Sequence, residues 1–274
     1  MKFFLKSLFL TFFISSTLFS AELFQEYPHI TKHFSTLPVY NEGRLKPLST
    51  IAKNGLVFIS HKQTVNYNES SLSATEWLLL LTYNPDVADT LEIFKISKSV
   101  TGYLKQMKNK KRYSYQDFQP YLDVIYKSGE SISKVDSLDR SLYQRNMYKL
   151  YKKIIHYEFL RSLFYVRGDK YDTSIALIPP NDLNKPWLNL FSSVGEIVSG
   201  SSKSNVFYLL DIINAYQLKD IDRLEGAFLE YQDFLESSDY ASVYTKLKIE
   251  SIFNNLNLFY YLSIGYLFIM CGVL

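Results

Sequence analysis

The chain has 274 residues, 47% of them hydrophobic, and a formal net charge of +3 at pH 7. A balance this close to neutral does not indicate a nucleic-acid-binding protein, which needs clustered basic charge to contact phosphates. The single cysteine, Cys271, excludes a disulfide framework. The absence of C-x-x-C and C-x-x-C-H excludes a thiol oxidoreductase and a c-type cytochrome.

Residues 1–21 have the layout of a secretory signal peptide. Two lysines precede an apolar run from Leu8 to Phe19, and small residues then precede the first acidic residue, Glu22. Bulky residues stand where a small one favours cleavage, so an uncleaved signal anchor is the alternative. Both interpretations predict that residues 22–250 form an exported domain on the periplasmic side of the inner membrane.

Most of this exported domain has the apolar spacing of helices, which predicts a mainly α fold with weak subdomain boundaries near residues 110 and 180. Ser73 and Glu76 form a capping box before an apolar run, and Asn84-Pro85 ends that helix. The predicted helices are 48–60, 74–83, 115–126, 138–166, 186–199, 205–217, 220–236 and a segment from 240 onward.

Strand signals are few. Residues 37–40 and 44–46 flank Asn41-Glu42-Gly43, which predicts a tight β-hairpin with Gly43 at positive φ. Residues 91–96 and 174–178 are two further short candidate strands, and we expect them to pair with each other.

The C-terminal segment, residues 256–274, is apolar throughout, and no charged residue follows Glu250. A bilayer-spanning helix needs about 20 such residues. We therefore expect a transmembrane helix here, the first of a longer membrane domain, with a buried core helix as the alternative.

Three histidines are candidates for binding haem or a metal. His29 and His33 lie four residues apart and would share one face of a helix, but a metal site usually has three or four ligands. His156 lies beside the apolar stripe of the longest predicted helix, as a core-edge residue or an axial haem ligand. His61 follows a predicted helix end, where an imidazolium would interact favourably with the helix dipole.

No nucleophile motif such as G-x-S-x-G and no phosphate-binding loop occurs in the chain, so we assign no catalytic residue. The basic run 108–112 predicts a loop, either solvated or in contact with anionic lipid headgroups.

The most specific local pattern is the hairpin segment with Gly43, Arg44, Lys46 and Pro47. Side chains alternate along a strand, so Arg44 and Lys46 point to one side. Two cations there can bind a carboxylate from a ligand or partner. The alternative is an internal ion pair that attaches the turn to the helix that begins after Pro47.

This segment, LPVYNEGRLKPLSTIAKNGLVFIS, resembles the front of the exported region in system II (Ccs/Res-type) cytochrome c assembly proteins. That region has the form L-x-V-x-x-x-G-R-x-K-P-[LI]-x-T. The resemblance extends over roughly residues 35–100 through Asn84-Pro85 and Phe94–Ser97, and a late proline-rich turn is similar at 175–180 and 185–187. The matching front residues are Leu37, Val39, Gly43, Arg44, Lys46, Pro47, Leu48 and Thr50.

The resemblance implies a membrane-anchored module of a complex that moves haem across the membrane and attaches it to apocytochrome c. The implied partners are membrane lipid, a multi-span haem-handling domain and apocytochrome c, with no nucleic acid. Haem belongs to the full complex, and the resemblance carries over no cofactor or catalytic residue to this chain. The alternative function is a helical extracytoplasmic sensor or binding domain of a membrane receptor.

Overall fold

The structure is a computed structural model that describes residues 28–68, 70–104, 107, 110–164, 175–180, 185–190, 193, 205–255, 258–270 and 272. The predicted signal segment lies outside these residues. The described chain is mainly helical with a few short antiparallel strands, which confirms the predicted fold class at that level.

Eleven α-helices and five strands have defined bounds within the described residues. The helices are α1 (Pro28–Thr36), α2 (Leu48–Ser60), α3 (Ala74–Tyr83), α4 (Pro85–Ala88), α5 (Lys98–Thr101), α6 (Leu122–Ser133), α7 (Leu142–Arg161), α8 (Val206–Leu218), α9 (Ile221–Ser237), α10 (Ala241–Asn255) and α11 (Leu258–Met270). The strands are β1 (Pro38–Asn41), β2 (Arg44–Pro47), β3 (Thr64–Tyr67), β4 (Ser70–Ser73) and β5 (Ile175–Ala176). A 3₁₀ helix, Gln116–Tyr121, precedes α6.

The chain divides into two compact units. The first contains the described residues of Met1–Thr31 and Ala52–Tyr171, and the second those of Lys32–Ile51 and Asp172–Leu274. Residue 110 therefore lies inside the first unit, and residue 180 lies near the start of the last segment of the second. The front hairpin belongs to the second unit, with the C-terminal part of the chain.

The first unit is built around α3 and α7. Helix α3 is apolar and almost fully buried, with Trp77 inaccessible to solvent. Its predicted capping box is confirmed: the Glu76 backbone N–H donates to Ser73 Oγ over 3.3 Å, and the Ser73 N–H donates to the Glu76 carboxylate over 2.6 Å. These bonds satisfy donors that a helix start leaves unpaired.

Helix α7 is shorter than the predicted 138–166, because Ser141 caps its start with Gln144 and the helix ends at Arg161. Most of its predicted apolar stripe is buried, whereas the stripe residue Tyr151 is half-buried. The buried members are Met147, Leu150, Ile154, Tyr157, Leu160 and, beyond the helix end, Phe164. Helix α6 packs against α7 at Gly129, where an added Cβ would lie 2.1 Å from Cγ of Tyr151.

The pairing predicted for residues 91–96 and 174–178 is wrong. Phe94 forms an isolated bridge with Tyr113, whereas Ile175 and Ala176 pair with Asn41 and Tyr40 of β1. The sequence also did not indicate the β3–β4 hairpin, whose second strand is mostly serine. Strands this short carry too little pattern to specify a partner, so tertiary packing decides the pairing.

The second unit combines the sheet β2-β1-β5 with α8, α9 and α10. Phe34 lies in its core, with ring centroids 5.0 Å from Tyr216 of α8 and 4.8 Å from Phe228 of α9. Helices α8 and α9 confirm the predictions at 205–217 and 220–236. Most of the helix predicted at 186–199 lies outside the described residues.

Helix α11 covers 13 residues of the predicted transmembrane segment 256–274. From Tyr261 to Met270 most of its apolar side chains are exposed, with Tyr266 at 69% and Met270 at 86%. Within the described parts of the chain, every helix is too short or too polar to cross a bilayer.

Two helix glycines provide a matched test of the packing. Gly129→Ala should destabilise the protein by about 1–3 kcal/mol, because the new methyl group forces α6 and α7 apart. Gly226, exposed in α9 with nothing within 4 Å of an added Cβ, should give a stabilisation of about 0.5–1 kcal/mol when changed to Ala. Urea-unfolding midpoints of both variants measure this difference, and equal midpoints would contradict the packing at Gly129.

Candidate functional site

The front hairpin forms as predicted, but its loop has two residues rather than three, because Asn41 still pairs with Arg44. Glu42 and Gly43 have φ values of 51° and 80°, between β1 and β2 in the register Asn41↔Arg44. Positive φ at both central residues defines a type I′ turn, whose twist matches that of the flanking strands. Nothing lies within 4 Å of an added Cβ at Gly43, so glycine is needed here for its backbone conformation rather than for space.

Lys46 is buried and turns back onto this loop. Its Nζ donates to Asn41 Oδ1 over 2.8 Å and to Glu42 Oε2 over 2.7 Å, and the residue is 5% exposed. The ammonium group therefore binds the loop that connects the two strands. The next residue, Pro47, pairs with Pro38 in the hairpin register and directly precedes α2.

Arg44 pairs with a carboxylate that is remote in sequence. Its Nη1 lies 3.1 Å from Glu250 Oε2 of α10, and its Nη2 lies 3.5 Å from Oε1. The side chain of Arg44 is 56% exposed and that of Glu250 is 30% exposed, so solvent weakens this pair. The carboxylates bound by the two cations are thus internal ones.

Buried hydroxyl groups strengthen the attachment of the hairpin segment to α10. Thr50 Oγ1 donates to Glu250 Oε1 over 2.8 Å and accepts from Asn254 Nδ2 over 2.8 Å. Ser251 Oγ lies 3.4 Å from Ser49 Oγ and 3.3 Å from Ser35 Oγ. We call these residues, together with Arg44 and Glu250, the hairpin–α10 network.

The late segment of the family resemblance lies in the same unit. β5 pairs with β1, and Ile178 forms a bridge with Leu188. Tyr240 donates from its hydroxyl group to the Pro180 carbonyl over 2.8 Å, and its ring lies 5.8 Å from that of Trp187 in a T-shaped contact. The front hairpin and the strand that leads into the proline-rich turn therefore belong to one sheet.

His29 and His33 both lie on α1, a helix that the sequence analysis did not predict. The ring of His33 stacks on Phe228, with centroids 5.2 Å apart. Within the described ranges of the chain, no group of three or more histidine, cysteine, aspartate or glutamate side chains is arranged to hold a metal ion.

His156 packs against α2. Its ring lies 5.3 Å from that of Phe58 in an edge-on contact, and its Nε2 would be 3.2 Å from a Cβ added at Gly55. These contacts correspond to the core-edge interpretation of this histidine.

His61 does not supply the cation expected at the end of α2. Lys153 and Arg112 contact that end instead: Lys153 Nζ donates to the Ile59 carbonyl over 2.8 Å, and Arg112 Nη1 donates to the Ser60 carbonyl over 2.8 Å. The positive charge of Lys153, followed by partial burial and the cations Lys95 and Arg112, lowers the pKa of His61. A neutral ring is therefore favoured near pH 7.

Burial lowers the pKa of Lys153 to about 8, and the positive charges of Arg112, Lys95 and Lys149 act in the same direction. Sequence analysis missed this residue as well as Glu250 and Asn254, and it named Thr50 only as part of the family motif. The available signal for Lys153 was its position three residues after Leu150, which places it beside the apolar stripe of the helix. Nothing in the local pattern distinguished Glu250 from other helical carboxylates.

The chain matches no protein-family model, and no curated protein matches it significantly. The resemblance at the front hairpin therefore enters the functional argument as a proposal.

Thr50 is a buried member of the hairpin–α10 network and Arg44 is an exposed one, so variants of these two residues measure their separate contributions to stability. Thr50→Val should reduce the free energy of unfolding by about 1–2 kcal/mol, because it removes two hydrogen bonds and leaves Glu250 and Asn254 without that partner. Arg44→Ala should cost less than about 1 kcal/mol, since its ion pair is exposed. Urea denaturation tests this order, and a larger loss for Arg44→Ala would contradict it.

Lys153 should make stability depend on pH. Its native pKa of about 8 lies below the ordinary value of 10.5, so the unfolded state binds more protons between these values. The free energy of unfolding should therefore rise from pH 8 to pH 10, by no more than about 3 kcal/mol at 1.36 kcal/mol per pKa unit. Lys153→Met should lack this rise when both proteins are unfolded in urea across the same pH series. Parallel profiles would contradict the assignment.

Proposed function

We propose that this chain is a membrane-anchored periplasmic module of a cytochrome c assembly complex. It acts as a scaffold or as a docking surface for the haem-handling domain or apocytochrome c, and it does not itself attach haem. The front motif supports this proposal, because the residues that resemble the assembly family fold into one hairpin and its attachment to α10.

The observation that carries the proposal is the bond between Glu250 and the front segment. Thr50 and Arg44 both contact this carboxylate, and α10 ends five residues later at Asn255. Helix α11 follows with its apolar side chains exposed. The front motif would thus stabilise the end of α10, which precedes the segment proposed to enter lipid.

An exposed apolar helix supports the membrane part of the proposal. Soluble proteins rarely expose a contiguous apolar surface of this kind, because each Å² of it costs about 25 cal/mol in water. The uncharged run 251–274 offers lipid no ionised group.

The sensor alternative is favoured by a different feature of the second unit. A groove of about 540 Å³, open to solvent, lies between α8 and α9, and its lining combines Tyr208, Asp211 and Asn214 with aliphatic side chains such as Leu210 and Ile213. This volume suits a small molecule. A solute that raises the melting temperature of the chain, but not that of Asn214→Trp, would favour the sensor, as would a signalling output segment encoded after Leu274.

Reversal of the Arg44 charge should lower the yield of holocytochrome c while apocytochrome export continues. Arg44→Glu places a carboxylate against Glu250 and weakens the hairpin–α10 network by charge repulsion. The double variant Arg44→Glu/Glu250→Gln removes the repulsion and keeps an amide oxygen that can accept from Thr50, so it should recover much of the yield. Haem staining of periplasmic cytochrome, with immunoblots for the apoprotein, measures both quantities.

The single and double variants also distinguish two roles of Arg44, namely attachment of the hairpin to α10 and direct binding of apocytochrome c. If Arg44 binds apocytochrome itself, the double variant Arg44→Glu/Glu250→Gln should remain defective. Normal holocytochrome levels in Arg44→Glu and in a strain lacking the exported domain would together reject the assembly role.

Membrane attachment is tested by alkaline carbonate extraction. The full chain should stay in the membrane pellet, because burial of the apolar segment does not depend on salt or pH. A version that ends at Asn255 should be released, provided that its signal segment has been cleaved. Release of the intact full chain would contradict the anchor.

A further inference from the structure

The side chains of His61, Arg112 and Lys153 meet at the end of α2, and the charges of Lys95 and Lys149 lie near enough to act on this group. His61 follows α2, Lys95 lies after the bridge residue Phe94, Arg112 precedes Tyr113, and Lys149 and Lys153 lie on α7. The charges that act on His61 and Lys153 are those of the other members of this group. We name these five residues the α2-end cationic cluster.

No carboxylate balances the cluster within the described residues. Lys95, Arg112, Lys149 and Lys153 take part in none of the salt bridges there, whereas nearby Lys110 binds Glu92 and Asp117. Protein surfaces usually intersperse the two signs, because like charges at short range repel. The carbonyl groups at the end of α2 offset only part of this charge.

Two members of the cluster are held rigidly. Lys153, 6% exposed, donates to the Ile59 carbonyl over 2.8 Å and to the Lys95 carbonyl over 3.0 Å. Arg112 Nη1 bonds the Ser60 and Ile93 carbonyls over 2.8 and 3.0 Å. The positions of these two cations are therefore set before any ligand arrives.

Donors remain available beside these rigid groups. Arg112 uses only Nη1, and the ammonium groups of Lys95 and Lys149 have no hydrogen-bond partner within the described residues. Lys153 Nζ lies 3.3 Å from His61 Nε2, which must then accept, so the ring proton is on Nδ1 and can be donated.

The backbone holds His61 in a strained conformation. Its φ of 57° is left-handed, and its N–H donates to the Val57 carbonyl over 2.8 Å. Glycine is the usual residue at such a helix end, and a histidine there costs about 1 kcal/mol or more. Strain of this kind is often retained where a side chain has a function.

We propose that the α2-end cationic cluster binds a phosphate group. The oxygens of a phosphate accept several charge-assisted hydrogen bonds at once and match the planar donors of Arg112. Binding would favour the imidazolium form of His61, which would then donate from both nitrogens.

The phosphate can come from a free anion or from a lipid headgroup, and one experiment distinguishes them. The pKa of each histidine is measured by NMR on the full chain in zwitterionic nanodiscs, with inorganic phosphate or with chloride at equal ionic strength. Phosphate should raise the His61 pKa by about one unit. His29, His33 and His156 should change little and serve as internal references.

The second arm replaces phosphate with nanodiscs that contain phosphatidylglycerol. A rise in the His61 pKa beyond that of the other histidines would assign the site to headgroups, whereas a response to inorganic phosphate alone would assign it to a free anion. An equal rise of all four values would reflect surface potential and would overturn the headgroup assignment. No selective response in either arm would overturn the proposal.

Variants test the site without removing its buried members. Lys149→Gln and Lys95→Gln change exposed side chains and should each weaken phosphate binding at least threefold. Lys127→Gln removes the same charge from an exposed position of α6 and should leave binding unchanged. Equal effects of all three variants would indicate nonspecific attraction and would overturn the site. The inference is independent of cytochrome assembly, because the phosphate arm requires neither haem nor a partner.

Discussion

The carboxylate of Glu250 is the acceptor that connects the front of the chain to its C-terminal helices. Thr50 donates to it from a buried position and Arg44 from a half-exposed one, so the hydroxyl group contributes more to stability than the ion pair. The two donors lie about 200 residues before their acceptor. The bond therefore joins the two segments of the second unit, Lys32–Ile51 and Asp172–Leu274.

A second constraint operates inside the first unit. The end of α2 leaves carbonyl groups without helical partners, and Lys153 and Arg112 occupy them. This arrangement places a buried ammonium group beside other cations and lowers its pKa to about 8. The carbonyl groups at the helix end have hydrogen-bond partners, whereas no carboxylate among the described residues forms a salt bridge with the cations around them. That imbalance distinguishes the α2-end cationic cluster from the internally paired cations of the hairpin.

Two predictions that depended on local chemistry were confirmed. Gly43 forms the tight turn because few residues tolerate positive φ, and Ser73 caps α3 because its hydroxyl group reaches a backbone donor one turn ahead. Predictions that depended on a remote partner failed. Residues 174–178 were expected to pair with 91–96, and His61 was expected to be the cation at the end of α2. In both cases another segment of the chain took that place.

The sequence by itself determined the helical periodicity, the hairpin and the run of apolar residues at the C-terminus, since each follows from neighbours within one or two turns of chain. Only the tertiary structure decided that Arg44 binds Glu250, that β5 joins β1, and that Lys153 lies among other cations. The physical reason is that hydrogen bonds and charges act between groups that are close in space. Sequence spacing does not record which distant carboxylate or carbonyl group will lie within 3 Å.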